Sequence, residues 1–347
     1  MFFSKRNNLF KSVVIFICVL VMSCSREPRG CQYVFAVYPV WLKDHTGISA
    51  LPWDSFTHLA IASIYPKANG SLHTSDADAF LENAVAQAHK NHRKILISIG
   101  GVGEGSEAFV HITKNERLLT ELISNIVAYV NNNELDGVDV DWEFWTRQNV
   151  LELGGNDPEE SHQLVKLLRS LRKAMPDKLI TVDIFAGNWI GPQYLSEIQE
   201  YADFVNLMAY DFTGAWDTSK VGHHADYRTF KKAIDYALQR GFDRKRIIVG
   251  IPAYGIEFVD GKKDSVLQHE YQLVAAKVDS KGIDINRGRI GNIFYETPKL
   301  AEKKAKYIHQ QGLAGASLFS ISYDIPEQES SLLYAINRGN GESLCRQ

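Results

Sequence analysis

Asp136-Gly137-Val138-Asp139-Val140-Asp141-Trp142-Glu143 sets a row of acids inside an apolar strand. Side chains two apart on a strand share a face, so Asp139, Asp141 and Glu143 point the same way. Their spacing is about 6–7 Å at the rise of an extended chain. Val138, Val140 and Trp142 occupy the other face, and all three suit a buried strand. Carboxylates are seldom buried without a partner or a purpose. Crowded acids raise one another's affinity for protons, which keeps a carboxylic acid able to donate near neutral pH. A calcium site is the plainer reading, but an EF-hand needs ligands along a Gly-containing loop that ends in a Glu. No such loop is present. The pattern reads as acid catalysis.

Outward from this strand, eight apolar, β-rich segments punctuate the chain: 32–39, 56–65, 93–99, 136–142, 179–186, 203–210, 246–252 and 314–322. Helical patterns lie between most of them. Residues 116–131 place Leu118, Leu119, Leu122, Ile123, Ile126, Val127 and Val130 at helical spacing. Residues 160–174 repeat this with Leu164, Leu167, Leu168 and Leu171, and Pro298 opens a helix over 297–311. Alternating helices and near-continuously apolar strands predict a parallel α/β fold. Eight such units fit a single (β/α)8 TIM barrel over residues 31–347. A doubly wound open sheet competes, but no Gly-x-Gly-x-x-Gly follows the first segment. Residues 256–293 are the longest stretch without a clear helix.

The chain's beginning reads as an export signal. Lys5, Arg6 and Lys11 precede the apolar run from Val13 to Met22, which is too short for an ordinary membrane span. Val21-Met22-Ser23-Cys24 resembles a bacterial lipobox, so residues 1–23 are expected to be a signal peptide and Cys24 the lipidated first residue of a tether over 24–30. Plain secretion is the alternative, because Met22 is unusual there. Loss of residues 1–23 takes the formal charge from −3 to −6, which argues against nucleic acid as a partner and against a polybasic membrane surface. The expected location is the bacterial envelope, with the membrane engaged only through the lipid. With Cys24 lipidated, the only thiols left to the mature chain are Cys31 and Cys345. A closed barrel brings its two ends together, and export places both thiols where a disulfide can form. Two unpaired thiols on frayed ends are the other reading. No cysteine or histidine cluster has metal-ligand spacing, and no metal is assigned.

Asp-Gly-x-Asp-x-Asp-x-Glu followed by an aromatic resembles the fourth-strand signature of the family 18 glycoside hydrolases, the chitinases. Matches to that family run along most of the chain, each at the end of an expected strand. Tyr38-Pro39-Val40-Trp41 matches the first strand loosely, and Ser98-Ile99-Gly100-Gly101 resembles the family's Ser-x-Gly-Gly. Met208-Ala209-Tyr210-Asp211 resembles its Met-x-Tyr-Asp, and Ile251-Pro252-Ala253-Tyr254-Gly255 its seventh-strand end. Trp216 and Gly222-His223-His224 resemble the loop after the sixth strand. The two histidines are expected to point apart and hold substrate or backbone rather than a metal.

The resemblance implies retaining hydrolysis of β-1,4-linked N-acetylglucosamine, with the substrate's own acetamide as nucleophile and no cofactor. Such enzymes depart from the two-carboxylate scheme of most glycosidases. Glu143 would be the general acid and base, Asp141 would orient the acetamide, Asp139 would tune Asp141, and Tyr210 would hold the acetamide carbonyl. Tyr38, Gly101, Trp142, Met208, Asp211, Trp216, Tyr254 and Phe319 would bind substrate, while Asp136 would be structural. The partner is a glycan containing N-acetylglucosamine, met by a monomer.

Two departures from the family stand out. Phe319 occupies the place of a Trp that floors the sugar, offering a smaller stacking face. Trp145 stands where a Pro is common. The stretch 256–293 is too short for the full α+β insertion of many members, so a shallow, endo-acting cleft is expected. Two rivals share the fold: an endo-β-N-acetylglucosaminidase acting on N-glycan cores, and a non-catalytic glycan-binding lipoprotein.

Overall fold

Each of the eight apolar segments forms a parallel strand: β1 (Tyr33–Pro39), β2 (His58–Pro66), β3 (Lys94–Gly101), β4 (Gly137–Trp142), β5 (Leu179–Phe185), β6 (Phe204–Met208), β7 (Ile247–Pro252) and β8 (Gly315–Phe319). β1 pairs with β2 on one side, Phe35 opposite His58, and with β8 on the other, Tyr33 opposite Gly315. The sheet therefore closes on itself as a TIM barrel. These relations come from a computed structural model that describes residues 30–42, 44–143, 158–185, 194–215, 219–262 and 265–345. The expected signal peptide, Cys24, Trp145 and Trp216 lie outside the described residues.

Strand parity divides the barrel into two cores. Val138, Val140 and Trp142 of β4 face outward and are fully or almost fully buried under the surrounding helices. The helix Glu116–Asn132 meets that layer with Leu118, Leu122, Ile126 and Val130, one apolar stripe at helical spacing. It begins where the Asn115 side chain accepts hydrogen bonds from the Arg117 and Leu118 N–H groups, satisfying donors that a helix start otherwise leaves unpaired. The helix Pro298–Gln310 is capped in the same way by Thr297, with Pro in the first turn where its missing N–H costs nothing. Inside the barrel, Phe35, Leu96 and Ile248 fill the lower end. Gly137 is required where β4 meets β5, because a Cβ there would lie 2.1 Å from the Leu179 carbonyl oxygen.

Residues 256–293 hold more structure than the sequence suggests. Tyr254–Phe258, Val266–Glu270, Arg289–Ile290 and Ile293–Tyr295 form a small antiparallel sheet, and Tyr271–Asp279 is a helix. That helix buries only Tyr271, Val274 and Val278, too short a stripe to stand out as periodicity. The insertion is thus reduced to one small sheet and one helix, and it reaches the mouth of the barrel through Tyr254 and Gln268.

Cys31 and Cys345 are joined by a disulfide, 314 residues apart in sequence. Next to it, Gln32 bonds the backbone of Ser343 and Cys345, so the last residues run beside the start of β1. Closing so long a loop removes on the order of 5 kcal/mol of unfolded-chain entropy in the loop-closure description. Thiol titration of the denatured, unreduced mature protein should accordingly find neither Cys31 nor Cys345 free. Two titratable thiols would mean that the ends are not tied.

Candidate active site

The C-terminal mouth of the barrel opens into a cavity of about 760 Å³. β4 sends Asp139 and Asp141 into it, and Glu143 follows at the rim. Their neighbours are buried because Gly100 and Gly101 let β3 turn close by. Both have positive φ, and a Cβ on Gly100 would lie 2.1 Å from the Asp141 carbonyl oxygen. Ser106, on the helix after that turn, takes a hydrogen bond from the Glu143 N–H (2.7 Å) and donates to the Gly101 carbonyl (2.7 Å). Glu143 is thereby fixed to the neighbouring strand end.

Burial raises the proton affinity of the whole acid row. Glu143 is 8% exposed, and its carboxyl is pushed well above the usual range by burial, then by the charges of Asp141 and Asp211. Asp141 is pushed up to about 8, by burial first and then by Asp139. One of its oxygens, Oδ1, is buried without a hydrogen-bond partner among the described residues. Asp139 lies deepest and accepts from Ser98 Oγ (2.8 Å) and from Thr181 Oγ1. The raised proton affinities keep protons within the row near neutral pH, and one Asp141 oxygen is left unsatisfied. That arrangement can protonate a leaving oxygen and hold an N–H of a bound molecule.

Tyr210 and Asp211 follow β6. Tyr210 is buried and stays a neutral phenol, its proton held by burial and then by the charges of Asp183 and Asp211. Asp211 has φ +54°, a backbone conformation that non-glycine residues rarely adopt. Its Oδ1 accepts from the Tyr254 hydroxyl (2.7 Å) and lies 3.0 Å from His224 Nδ1. The second ring nitrogen of His224 is 3.3 Å from the Tyr254 carbonyl oxygen, so the histidine ties two strand ends together. His223 and His224 do not point apart: their rings are nearly parallel, 5.7 Å between centres. His223 engages the Tyr295 carbonyl at 2.9 Å. Both rings thus hold backbone, with the Asp211 carboxylate as the further partner.

Gly101, Met208, Tyr210, Asp211, Tyr254 and Phe319 all line the cavity with the three acids. Phe319 lies 6.1 Å from Tyr210 and 6.4 Å from Trp41 between ring centres. Trp41 is 55% exposed and its indole N–H donates to the Tyr323 hydroxyl (2.8 Å), which gives the mouth a held aromatic face. Two expected substrate contacts fall elsewhere. Tyr38 is on the outward parity of β1 and packs near Phe80 and His45. Trp142 is fully buried on the outward face of β4, 5.1 Å from Phe109. In both cases the strand's two-residue alternation places the side chain under the helices. Asp136 is held outside the cavity by Lys94 (2.8 Å), His89 (3.1 Å) and the Ile95 N–H (2.9 Å).

The structure adds residues that the motifs do not name. Thr181 and Asp183 of β5 and Asn206 of β6 line the same cavity beneath the acid row. The signal was available in Thr181, Asp183 and Phe185 alternating with Ile180, Val182 and Ile184.

Replacing Asp141 by Asn should stabilise the fold while removing function. Its carboxyl binds its proton more tightly folded than unfolded, so its contribution is fully present below about pH 4 and is lost as pH rises towards 8. The variant's advantage in stability should grow across that window by up to about 1.4 kcal/mol per pH unit. Thermal melts of both proteins at pH 4 and pH 8 measure it. An advantage that shrinks with rising pH would contradict the raised proton affinity of Asp141.

Comparison with known proteins places this geometry. The family description "Glycosyl hydrolases family 18" matches residues 35–324. A probable chitinase 2 of Drosophila melanogaster is 28% identical over 178 residues, covering 48% of this chain and 35% of that protein. A chitinase-like effector of Moniliophthora roreri is 25% identical over 275 residues, covering 74% of this chain and 66% of its own length. The chain thus spans about a third of the insect protein and just under two thirds of the fungal one. Among solved structures, a chitinase from Bacteroides thetaiotaomicron superposes with a TM-score of 0.75 at 22% identity, covering 90% of this chain and 97% of that one. The Ostrinia furnacalis Group IV chitinase in complex with allosamidin gives 0.76 at 21% identity, covering 90% and 100%. These superpositions bear on the fold.

Proposed function

The chain belongs to glycosyl hydrolases family 18, and from that premise we propose that it is a chitinase-like retaining hydrolase of β-1,4-linked N-acetylglucosamine chains. The observation that carries this reading is the pairing of Glu143, buried and proton-holding, with Asp141, which lines the same cavity and has a buried carboxyl oxygen without a partner among the described residues. Glu143 donates its proton to the glycosidic oxygen as the bond to C1 breaks. The 2-acetamido carbonyl of the sugar closes onto C1, and Asp141 accepts a hydrogen bond from the acetamide N–H, favouring the positive charge that develops. Tyr210, a neutral phenol, donates to the acetamide carbonyl. Glu143, now a carboxylate, then takes a proton from the water that opens the oxazolinium ring. Retention follows from two displacements at C1. The sugar supplies the nucleophile, so no cofactor enters.

The cavity lining supports a neutral glycan. Among the described residues it includes no Lys, Arg or His, while Phe319, Trp41, Tyr254 and Tyr210 offer aromatic faces and hydroxyls. Such faces stack on the C–H surfaces of a pyranose ring. The export reading of the N-terminus and the Cys31–Cys345 disulfide support an extracellular or envelope location, and lipidation at Cys24 belongs to the same proposal.

Incubation with a fluorogenic chitotriose glycoside tests the activity, in parallel with a gel-mobility assay on a high-mannose glycoprotein. Fluorophore release with no change in the glycoprotein is the expected result. Glycoprotein trimming without fluorophore release would move the substrate to N-glycan cores, and inactivity on both would leave a glycan-binding protein.

A further inference from the structure

At the level of Asp139, a band of polar side chains runs across β3, β4, β5 and β6 inside the barrel and reaches β8. Strand register sets it up: Ser98 lies opposite Asp139, Asp139 opposite Thr181, and Asp183 opposite Asn206. Ser317 of β8 completes it by donating to Asn206 Oδ1 (2.7 Å). That bond orients the amide, so the Asn206 N–H group points at Asp183 Oδ1 and donates to it. Asp139 accepts an O–H donor on each oxygen, from Ser98 and from Thr181, which is the bonding of an ionised carboxylate. The Asp183 carboxyl lies within reach of Asp139. Two carboxyl groups in hydrogen-bond contact need a proton between them, and Asp139 is the member already surrounded by donors.

Resting on the reading of the site as a glycosidase, we infer that Asp183 is a positioning residue: a neutral carboxylic acid that donates a hydrogen bond to Asp139 and keeps the negative charge on Asp139, directly below Asp141. The other titratable groups facing Asp183 are Asp141 and the phenols of Tyr194 and Tyr210. Burial raises the proton affinity of both Asp139 and Asp183, and the charge of Asp139 raises that of Asp183 further. The charge retained on Asp139 is in turn what, after burial, helps Asp141 keep its own proton. Asp183 therefore acts through Asp139 on the residue that meets the acetamide. Phe35 of β1, lining the same depth, has no donor to offer Asp139.

Two measurements test this. Infrared difference spectra of wild type against Asp183→Asn at pH 7 report which form of the carboxyl has been removed, whether or not the protein has any activity. Loss of a neutral-acid C=O band is expected; loss of a carboxylate band would overturn the inference. In kinetics, Asp183→Asn still presents an N–H donor to Asp139 and should keep kcat within about threefold, while Asp183→Leu leaves that side unpaired and should lower kcat roughly 10–100-fold with KM little changed. An Asn variant that falls as far as the Leu variant would also overturn it. If Asp183→Leu fails to fold by circular dichroism, the infrared result decides. A wild type inactive on chitotriose glycosides would count against the functional reading, and the spectra would still locate the proton.

Discussion

Glu143→Gln is expected to lower kcat by about 10²–10⁴-fold or more while leaving fold and oligosaccharide binding in place. The amide keeps the shape of the side chain and the backbone bond from residue 143 to Ser106. It removes the one group at the rim whose proton is held by burial and by the neighbouring charges of Asp141 and Asp211. In the proposed mechanism the acid acts twice, first to protonate the leaving oxygen and then as a base for water, so its loss is expected to slow both steps. Steady-state rates on a chitotriose glycoside, with binding followed separately by calorimetry, give the comparison. A variant keeping about a third of the wild-type kcat would remove Glu143 from the role.

Fully deacetylated chitosan is expected to show no measurable turnover, because the free 2-amino group has no carbonyl to close onto C1. The expectation rests on the proposed pocket of Asp141 and Tyr210, which suits an acetamide. A thiazoline analogue of the oxazolinium intermediate should bind at least about 10²-fold more tightly than an oligosaccharide of the same length. Efficient cleavage of the deacetylated polymer would exclude substrate assistance and return the nucleophile to the protein.

The acid row was legible because a strand's period is two, so acids at that spacing inside an apolar run gather on one face and must share a single buried site. The eight strands were legible for a related reason: they are buried on both faces, so most of them read as near-continuous apolar runs. What the motifs missed follows from the same alternation. Tyr38 and Trp142 belong to motif segments, yet they sit one residue off the inward parity and pack under the helices. Asp183 belongs to no motif quoted for the site, so the alternation gives its inward parity and only its place opposite Asn206 gives its partner. The helix Tyr271–Asp279 buries three side chains in nine residues, too weak a stripe to be read. The parallel rings of His223 and His224 depend on their separate long-range partners, Tyr295 and Asp211, which no local pattern encodes.

The stereochemistry of the first product tests most directly the central claim of two displacements at C1. Hydrolysis of an N-acetylglucosamine pentamer can be followed by proton NMR, reading the anomeric signals before mutarotation mixes them. Two displacements at C1 predict that the new reducing end appears first as the β anomer. Initial appearance of the α anomer would mean direct attack by water on C1, and would contradict the mechanism assigned to Glu143, Asp141 and Tyr210.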